Sequence, residues 1–360
     1  MQIKQVEVFA VRLPLRSAFR SSSGEVDARD LGVVRLTDED GRFGLGEVTP
    51  YPDRGGPNLA QELAQFDAGL SRWLRQQTFD DQAPTLPTDA SPPVLAALDT
   101  ALLDLRARRS GLRVAELLGA EDQFDVPVNT TITARKPEVV ADLARRAQED
   151  GYSTVKLKVG HPPSDELRLA ALREAIGFEM LVRLDANGAW SGDQALDQVS
   201  KLEDYGLELI EQPVASDDLE AMRRVREAAS VPIVADEGVR TLNDLEVHRA
   251  AGACDGIAVK LSQSGGPSAA AELIDHARHA GMLVFVTSTL DGPVGLAAGL
   301  HFAAAKADFG LANGLATGEL LARSYANGLP PVKRGVIAVA DAPGLGIELD
   351  ENALSLLALH

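Results

Sequence analysis

From about residue 125 onward the chain repeats in texture: a short apolar run, then a longer stretch with helical spacing, with run ends about 25–30 residues apart. No other feature restricts the fold as much. The runs are VPVNTTI (126–132), STVKLKVG (153–160), EMLVRLDANG (179–188), GLELIEQP (206–213), VPIVADEG (231–238), CDGIAVKLSQSGG (254–266) and MLVFVTSTLDG (282–292), and an eighth is read at DFGLANGLATGEL (308–320). Segments such as PEVVADLARRAQEDG and DDLEAMRRVREAA fill the gaps with helical spacing. Strand plus helix at that period is the parallel βαβ unit. Eight such units close a (β/α)8 barrel, with an open doubly wound sheet as the competitor. No glycine-rich phosphate loop follows the first strand, and the GxG of Gly44–Gly46 is a weak signal in another setting.

The first 120 residues read as a compact α+β unit. VEVFAVRLPL and LGVVRLTDEDGRFGLGEV are strand-like, with Asp40-Gly41 marking a hairpin turn. Between them, Arg16 to Arg29 is polar and small-residue rich and reads as a mobile connection. Helical patterns follow around 58–77 and 92–118, the second placing Leu95, Leu98, Ala101, Leu102 and Leu105 on one stripe.

A chain of 360 residues suits one large barrel plus a smaller domain. Apolar residues at 45% and charged residues at 24% fit a folded, soluble protein. No apolar run reaches the ~18–20 residues that span a bilayer. The opening MQIKQVEVFAVRLPL alternates like a strand and lacks a signal-peptide layout. The one cysteine, Cys254, permits no internal disulfide and no cysteine zinc site, so a reducing cytoplasm is the default expectation. With 35 basic and 53 acidic residues the formal charge is -18, which disfavours nucleic acid as a partner. A high-salt habitat is another origin for such acidity. Aromatic content of 4% offers no base-stacking platform.

Successive runs end in polar residues: Lys156 and Lys158, then Asp185 followed by Asn187, then Glu211, then Asp236 with Glu237, then Lys260. A parallel barrel gathers all carboxyl-terminal strand ends on one rim, so these residues converge. Asp185, Glu211 and Asp236 would then repel one another at low dielectric. A hard divalent cation relieves that repulsion, and oxygen-only ligands favour Mg²⁺, or Mn²⁺, over zinc. One acid at a strand end is as readily a loop residue or helix cap. Three in successive units argue otherwise.

Positions i and i+2 of a strand face the same way, so Lys156 and Lys158 both point inward if Val155, Leu157 and Val159 face the helices. A lone strand lysine is usually a rim residue. A KxK pair facing Lys260 from across the barrel, with acids between, reverses that reading. Mutual repulsion and the cation are expected to lower the lysine pKa values and to make one a base near neutral pH. Removing a proton α to a carboxylate builds a dianionic enediolate, whose charge a Lewis-acidic Mg²⁺ neutralises while a lysine takes the proton.

Lys156-Leu157-Lys158, Asp185-Ala186-Asn187, Glu211-Gln212-Pro213, Asp236-Glu237 and Lys260 together resemble the muconate-lactonizing-enzyme subgroup of the enolase superfamily, over nearly the whole chain. The ALDTALLDLRARRSG helix belongs to the likeness. The resemblance implies an α/β fold: a (β/α)8-type barrel over about 121–324, closed by an α+β cap of about 1–120 that the tail, 325–360, completes. It implies Mg²⁺ on Asp185, Glu211 and Asp236, and Lys158 and Lys260 as the acid–base pair. Lys156 would support Lys158 and the substrate carboxylate. Phe19 and Arg20 match the position of a specificity loop that shields the site from water. Asn187 and Glu237 are read as orienting the ligands. A small-molecule carboxylate substrate and a homo-oligomer are likewise implied.

The mandelate racemase branch uses a histidine base near the seventh strand. Here His301 falls in VGLAAGLHFAAA and reads as a helix residue. Within the subgroup, specificity lies in the cap loops and the seventh and eighth strand ends, where Ser288 and Glu319 are candidates. No Asp-x-Asp occurs in GLANGLATGELLARS, which counts against dipeptide epimerisation, although Glu319 remains able to bind an ammonium. TSTLDGPVGLAAG and GLATGELL look most like o-succinylbenzoate synthases, and the rim reads as apolar and small, suiting a dehydration that forms an aromatic ring. Muconate cycloisomerase is the alternative, followed by N-acylamino acid racemase and dipeptide epimerase. An inactive metal-binding barrel and a Schiff-base aldolase stand further off.

Overall fold

Alternation at the N-terminus produces two long antiparallel strands, β1 (Ile3–Ser21) and β2 (Gly24–Asp38), then β3 (Phe43–Val48), in the order β1-β2-β3. The structure is a computed structural model that describes residues 1–21, 24–52, 55–79, 85–122, 124–160, 164–308 and 310–359. At the β2–β3 turn, Asp38 accepts from the backbone N–H groups of Asp40 and Arg42 at 2.9 and 2.8 Å. The described part of 16–29 is not a loose connection. It continues β1 and β2 as a ribbon, with Phe19 opposite Val26 after a register shift. Cross-strand pairing satisfies the backbone there, so polar side chains do not prevent a strand.

The cap helices are α1 (Leu59–Gln65), α2 (Ser71–Gln76), α3 (Pro92–Ser110) and α4 (Val114–Leu117). Helix α3 begins with Pro92 and stops at Gly111, whose φ of 69° ends the helix in the left-handed region. It lies so close on β3 that a Cβ at Gly46 would stand 1.9 Å from the Ala97 carbonyl oxygen, so the GxG pair is a packing device.

The repeat beyond residue 125 forms one parallel sheet in the order β11-β10-β9-β8-β7-β6-β5. Its strands are β5 (Thr130–Ile132), β6 (Thr154–Lys158), β7 (Leu181–Asp185), β8 (Leu209–Glu211), β9 (Ile233–Ala235), β10 (Gly256–Val259) and β11 (Leu283–Val286). Between them run α5 (Pro137–Glu149), α6 (Ser164–Ile176), α7 (Gly192–Leu202), α8 (Leu219–Ala228), α9 (Leu242–Ala251), α10 (Leu261–Ser264) and α11 (Pro267–His279), with α12 (Pro293–Lys306) after β11. Val155, Leu157 and Val159 join the apolar layer under the helices, while Leu209, Val234, Ala258 and Phe285 form a separate interior cluster. That is the two-residue alternation of a packed barrel.

The expected eighth strand is reduced to a closing clasp. Asn313 bridges to Val128 and Gly314 to Thr287, both parallel. The Asn313 N–H donates to Pro127 and the Gly314 N–H to Val286, each at 2.8 Å. Two residues thus join the first and last strands. A Cβ on Gly314 would fall 2.3 Å from the Thr287 hydroxyl, so close approach takes the place of strand length.

After the clasp come β12 (Ala326–Asn327), β13 (Val336–Ala338), β14 (Glu348–Leu349) and α13 (Glu351–Leu357). β13 pairs with β4 (Asp125–Pro127), and the Leu359 N–H reaches Ala10 of β1 at 2.9 Å. Asp104 on α3 is fully buried and accepts from the N–H groups of Leu45 and Leu345, at 2.8 and 2.7 Å. One carboxylate thereby ties cap sheet, cap helix and tail together. The fold is an α+β cap seated on a (β/α)8 barrel. Among the described residues no helix is long and apolar enough to cross a membrane.

Candidate active site

Inward positions on β6 to β10 supply the chemistry. Asp185 ends β7, Glu211 ends β8, and Asp236 follows β9 directly. One carboxylate oxygen from each lies within 4.8 Å of the others, and all three residues are buried. Three buried oxygen donors with no sulfur or imidazole fit a hard divalent cation such as Mg²⁺.

The lysines interleave with these acids. Lys156 donates to both oxygens of Glu211, at 2.8 and 2.7 Å, and stands 2.7 Å from Asp185. Lys158 donates to Asp185 at 2.5 Å and to the Asn187 side-chain oxygen at 2.6 Å. Lys260, directly after β10, donates to Asp236 from the opposite wall. Burial opposes the charge on Lys156, but the fields of Asp185 and Glu211 outweigh it and raise its pKa. Lys260 is raised in the same way, chiefly by Asp236. The lowering expected for the Lys156 and Lys158 pair is not seen at Lys156, whose amine stands 2.7 Å from both Asp185 and Glu211. Burial pushes Asp185 and Asp236 upward, yet Lys156 and Lys158 hold Asp185 well below the usual range, and Lys260 holds Asp236 down. Glu211 goes the other way: burial and the neighbouring Asp185 charge raise it, so it is the member of the trio that most readily keeps a proton.

Two left-handed residues orient the acids. Asn187, at φ 46°, donates its N–H to Asp185 at 2.9 Å while its side chain receives Lys158. Gln212, at φ 40°, accepts from the Asp236 N–H and donates to the Val214 carbonyl, both at 2.9 Å. It fixes the turn after Glu211 to the turn carrying Asp236, a positioning role that the sequence reading did not assign. Its place inside Glu211-Gln212-Pro213 was the available signal. Glu237 is buried and hydrogen-bonds Asp236.

Above these groups lies a cavity of about 110 Å³. Phe19 and Ser288 line it, and the Ser288 hydroxyl meets that of Thr317 at 2.6 Å. The side chain of Arg20 lies outside the described residues. Glu319 is not brought to the cavity: it accepts from the Tyr152 hydroxyl at 2.7 Å and lines a different cleft with Leu296 and Leu329. The short 3-10 turn at Ala316–Leu320 carries it past the rim. The rim is also less apolar than expected, because Thr287, Ser288, Thr289 and Thr317 give it hydroxyls. The cap adds Arg29 and Tyr51 to the lining, neither marked by any sequence pattern. His301 lies within α12, where its Nδ1 accepts from the Ala115 N–H at 3.0 Å and its Nε2 donates to Leu345 at 3.2 Å, away from the cavity.

A barrel whose rim holds three acids between opposed lysines, under an α+β lid, defines a metal-assisted acid–base enzyme. Residues 3–119 match the mandelate racemase / muconate lactonizing enzyme N-terminal domain, and residues 138–353 match the enolase C-terminal domain-like family. The chain belongs to the mandelate racemase / muconate lactonizing enzyme family of the enolase superfamily. It is similar to a hydrophobic dipeptide epimerase of Enterococcus faecalis, 31% identical over 96% of this chain and 99% of that one. It is equally similar, at 31%, to muconate cycloisomerase 1 of Acinetobacter baylyi, over 99% and 100% of the two chains. The solved structure of the N-succinyl Arg/Lys racemase from Bacillus cereus superposes with a TM-score of 0.92 at 27% identity, covering 100% of this chain and 99% of that one. A solved structure of the Enterococcus faecalis dipeptide epimerase is a complex with Mg and a dipeptide.

Proposed function

We propose that this chain is a Mg²⁺-dependent isomerase that moves a proton at a carbon α to a carboxylate, in a cycloisomerisation of the muconate type. The observation that carries the proposal is the placement of Lys158 and Lys260 on opposite walls, each paired to a different acid of the Asp185, Glu211 and Asp236 trio. A bound Mg²⁺, for which Mn²⁺ is a reasonable substitute, would supply Lewis-acid stabilisation of charge that develops on the substrate carboxylate. Lys156, held between Asp185 and Glu211, adds a fixed positive charge on the same side. In the ring-forming direction one substrate carboxylate adds to the conjugated double bond and makes a C–O bond. The displaced electron pair moves to the other carboxylate end, and the Lys158 ammonium delivers its proton to the α-carbon. No atom is lost, so the product is an isomer, and solvent reprotonates the amine. The opposite lysine stays cationic and stabilises the same charge, in keeping with its raised pKa. Phe19 and the rest of the cap lining exclude water while the charge develops.

A second reading is the dehydration of o-succinylbenzoate synthase, favoured by TSTLDGPVGLAAG and GLATGELL at the last two strand ends. There Lys158 takes the α-proton, and hydroxide leaves as water with a proton from an acid. Both readings predict Mg²⁺-dependent exchange of an α-proton for deuterium in D₂O. Incubation with cis,cis-muconate, the o-succinylbenzoate precursor, N-acyl amino acids and dipeptides, followed by NMR, separates them. Turnover of muconate to its lactone supports the proposal. Turnover of dipeptides alone, or exchange that is independent of metal, overturns it.

A further inference from the structure

Two buried carboxyl groups that the α-proton chemistry leaves unused face each other across the cap–barrel boundary: Glu47 of β3, and Asp291 in the turn before α12. Glu47 sits at the start of α12. One of its oxygens accepts from the Gly292 N–H at 2.7 Å, and the Gly295 N–H bonds the same carboxyl. Both glycines clear room for it, since a Cβ at Gly292 would stand 2.6 Å, and one at Gly295 2.7 Å, from a Glu47 oxygen. The other oxygen accepts from the Tyr325 hydroxyl of the tail. Asp291 accepts from the Thr289 hydroxyl at 2.7 Å, and Leu290 between those two holds a φ of 61°, which a leucine rarely adopts. Thr289 and Leu290 line the catalytic cavity, so this boundary adjoins it. Thr49 bonds both carboxyls, Glu47 at 3.1 Å, yet its hydroxyl has a single hydrogen to give. Two ionised carboxylates leave that bridge one hydrogen short, and one added proton completes it.

The surroundings offer Glu47 little compensation. The ionisable groups that act on it are Asp291 from the turn and Tyr325 from the tail. Arg29 of β2 acts on Asp291, but it donates its own hydrogen bond to the Pro50 carbonyl at 2.8 Å. Helices α3 and α10 close the gap of about 20 Å³ beside the two carboxyls with Ala96, Thr100, Leu261 and Ser262, none of them charged. Asp99 of α3 is bonded to Ser268 instead, at 2.6 and 2.9 Å. Burial and the Asp291 charge push the Glu47 pKa up to about 7, against the hydrogen bonds that favour the anion, and burial raises Asp291 as well.

We infer that Glu47 and Asp291 form a proton-operated latch: with one proton on the pair the cap is seated on the first turn of α12, and loss of that proton sets two buried anions against each other across the boundary and loosens the seat. The sign follows from linkage. An exposed glutamate titrates near about 4.3, so the seated state binds the proton more tightly than the open one. Seating is strongest below that value and weakens as the pH rises to about 7, where Glu47 has ionised in the seated state too. Each pKa unit between the two states is worth about ten-fold in the opening equilibrium. The latch rests on the fold alone and not on the proposed reaction.

The test is backbone hydrogen exchange of the Mg²⁺-loaded full chain, read by mass spectrometry on peptides carrying Gly292 and Gly295, whose N–H groups bond the latch. It is run at about pH 5.5 and about pH 8, either side of the Glu47 titration, and corrected for intrinsic rates. In the native chain, protection at these positions should fall about ten-fold or more at the higher pH, relative to peptides of α11. Glu47→Gln keeps the shape and an acceptor for Gly292 but cannot ionise, so its protection should hold at both values. Asp291→Asn removes the opposing charge and should flatten the profile in the same way. The acid trio titrates alike in all three proteins, so its effect cancels in the comparison. A thermal melt checks that each variant folds, and Asp291→Asn carries the test if Glu47→Gln does not fold. Protection in the native chain that ignores pH, or a fall of equal size in the folded variants, overturns the inference. No turnover is measured, so failure of the proposed reaction would leave this result untouched.

Discussion

Glu211→Gln is the sharpest probe of the acid trio, because it changes charge and almost nothing else. Glu211 is fully buried at the end of β8, and both its oxygens accept from Lys156. The amide keeps the length and one acceptor but removes one anion of the three. Losing even an outer partner of a metal ligand weakens metal binding by roughly 10–100-fold, so losing a ligand charge should weaken Mg²⁺ by at least about 100-fold. At a Mg²⁺ concentration ~100 times the native Kd, binding stabilises the native chain by ~2.7 kcal/mol. For 360 residues, an unfolding entropy of ~2.1 cal/mol/K per residue turns that into a rise in Tm of ~3–4 °C. The variant at the same concentration sits near its own Kd and gains only ~0.4 kcal/mol, or roughly half a degree. Each protein's Mg²⁺ shift is read against its own metal-free melt, because the amide also removes one of the two oxygens that Lys156 bonds. The assay is a melt with and without Mg²⁺. An equal Mg²⁺ shift in both proteins would refute the ligand assignment, whatever happened to activity.

Three further outcomes are expected. Lys158→Ala should lower turnover by ~10²–10⁴-fold, the usual share of a general acid–base, while keeping the Mg²⁺ shift in Tm; native-like turnover would remove Lys158 from the reaction. Asp104→Ala should cost ~2–5 kcal/mol in urea unfolding, because the N–H groups of Leu45 and Leu345 lose their buried acceptor, and a change below ~0.5 kcal/mol would deny Asp104 its tie between cap and tail. His301 is pushed down to about 4 by burial, so the unfolded chain binds its proton first as pH falls. Its contribution is therefore complete above about pH 6.5 and is lost between there and pH 4, by up to ~3 kcal/mol. The variant His301→Asn should lack that slope in pH-dependent unfolding, and an unchanged slope would show that another group causes it.

Much of the site was legible before any coordinates. Lys156 and Lys158 share a face because strand side chains alternate, and Asp185, Glu211 and Asp236 fall at corresponding points of successive units. What misled was local polarity. The 16–29 segment looked like a loose connection, yet pairing between Phe19 and Val26 makes it a ribbon. Glu319 looked available near the eighth strand, yet one short turn carries it to Tyr152. The direction expected for the Lys156 pKa missed the two acids 2.7 Å from its amine, because the sequence gives the identities of the neighbouring charges but not their distances.

The sequence alone determined the repeat, the inward face of each strand and the acids and amines at the strand ends. These follow from the two-residue period of a pleated strand and the fixed order of strand and helix, both local properties of the chain. Only the tertiary structure decided how two residues, Asn313 and Gly314, close the barrel, and that Arg29 and Tyr51 of the cap reach the cavity. Those outcomes depend on contacts between segments far apart in the chain, where fractions of an ångström and the burial of single charges outweigh any local preference.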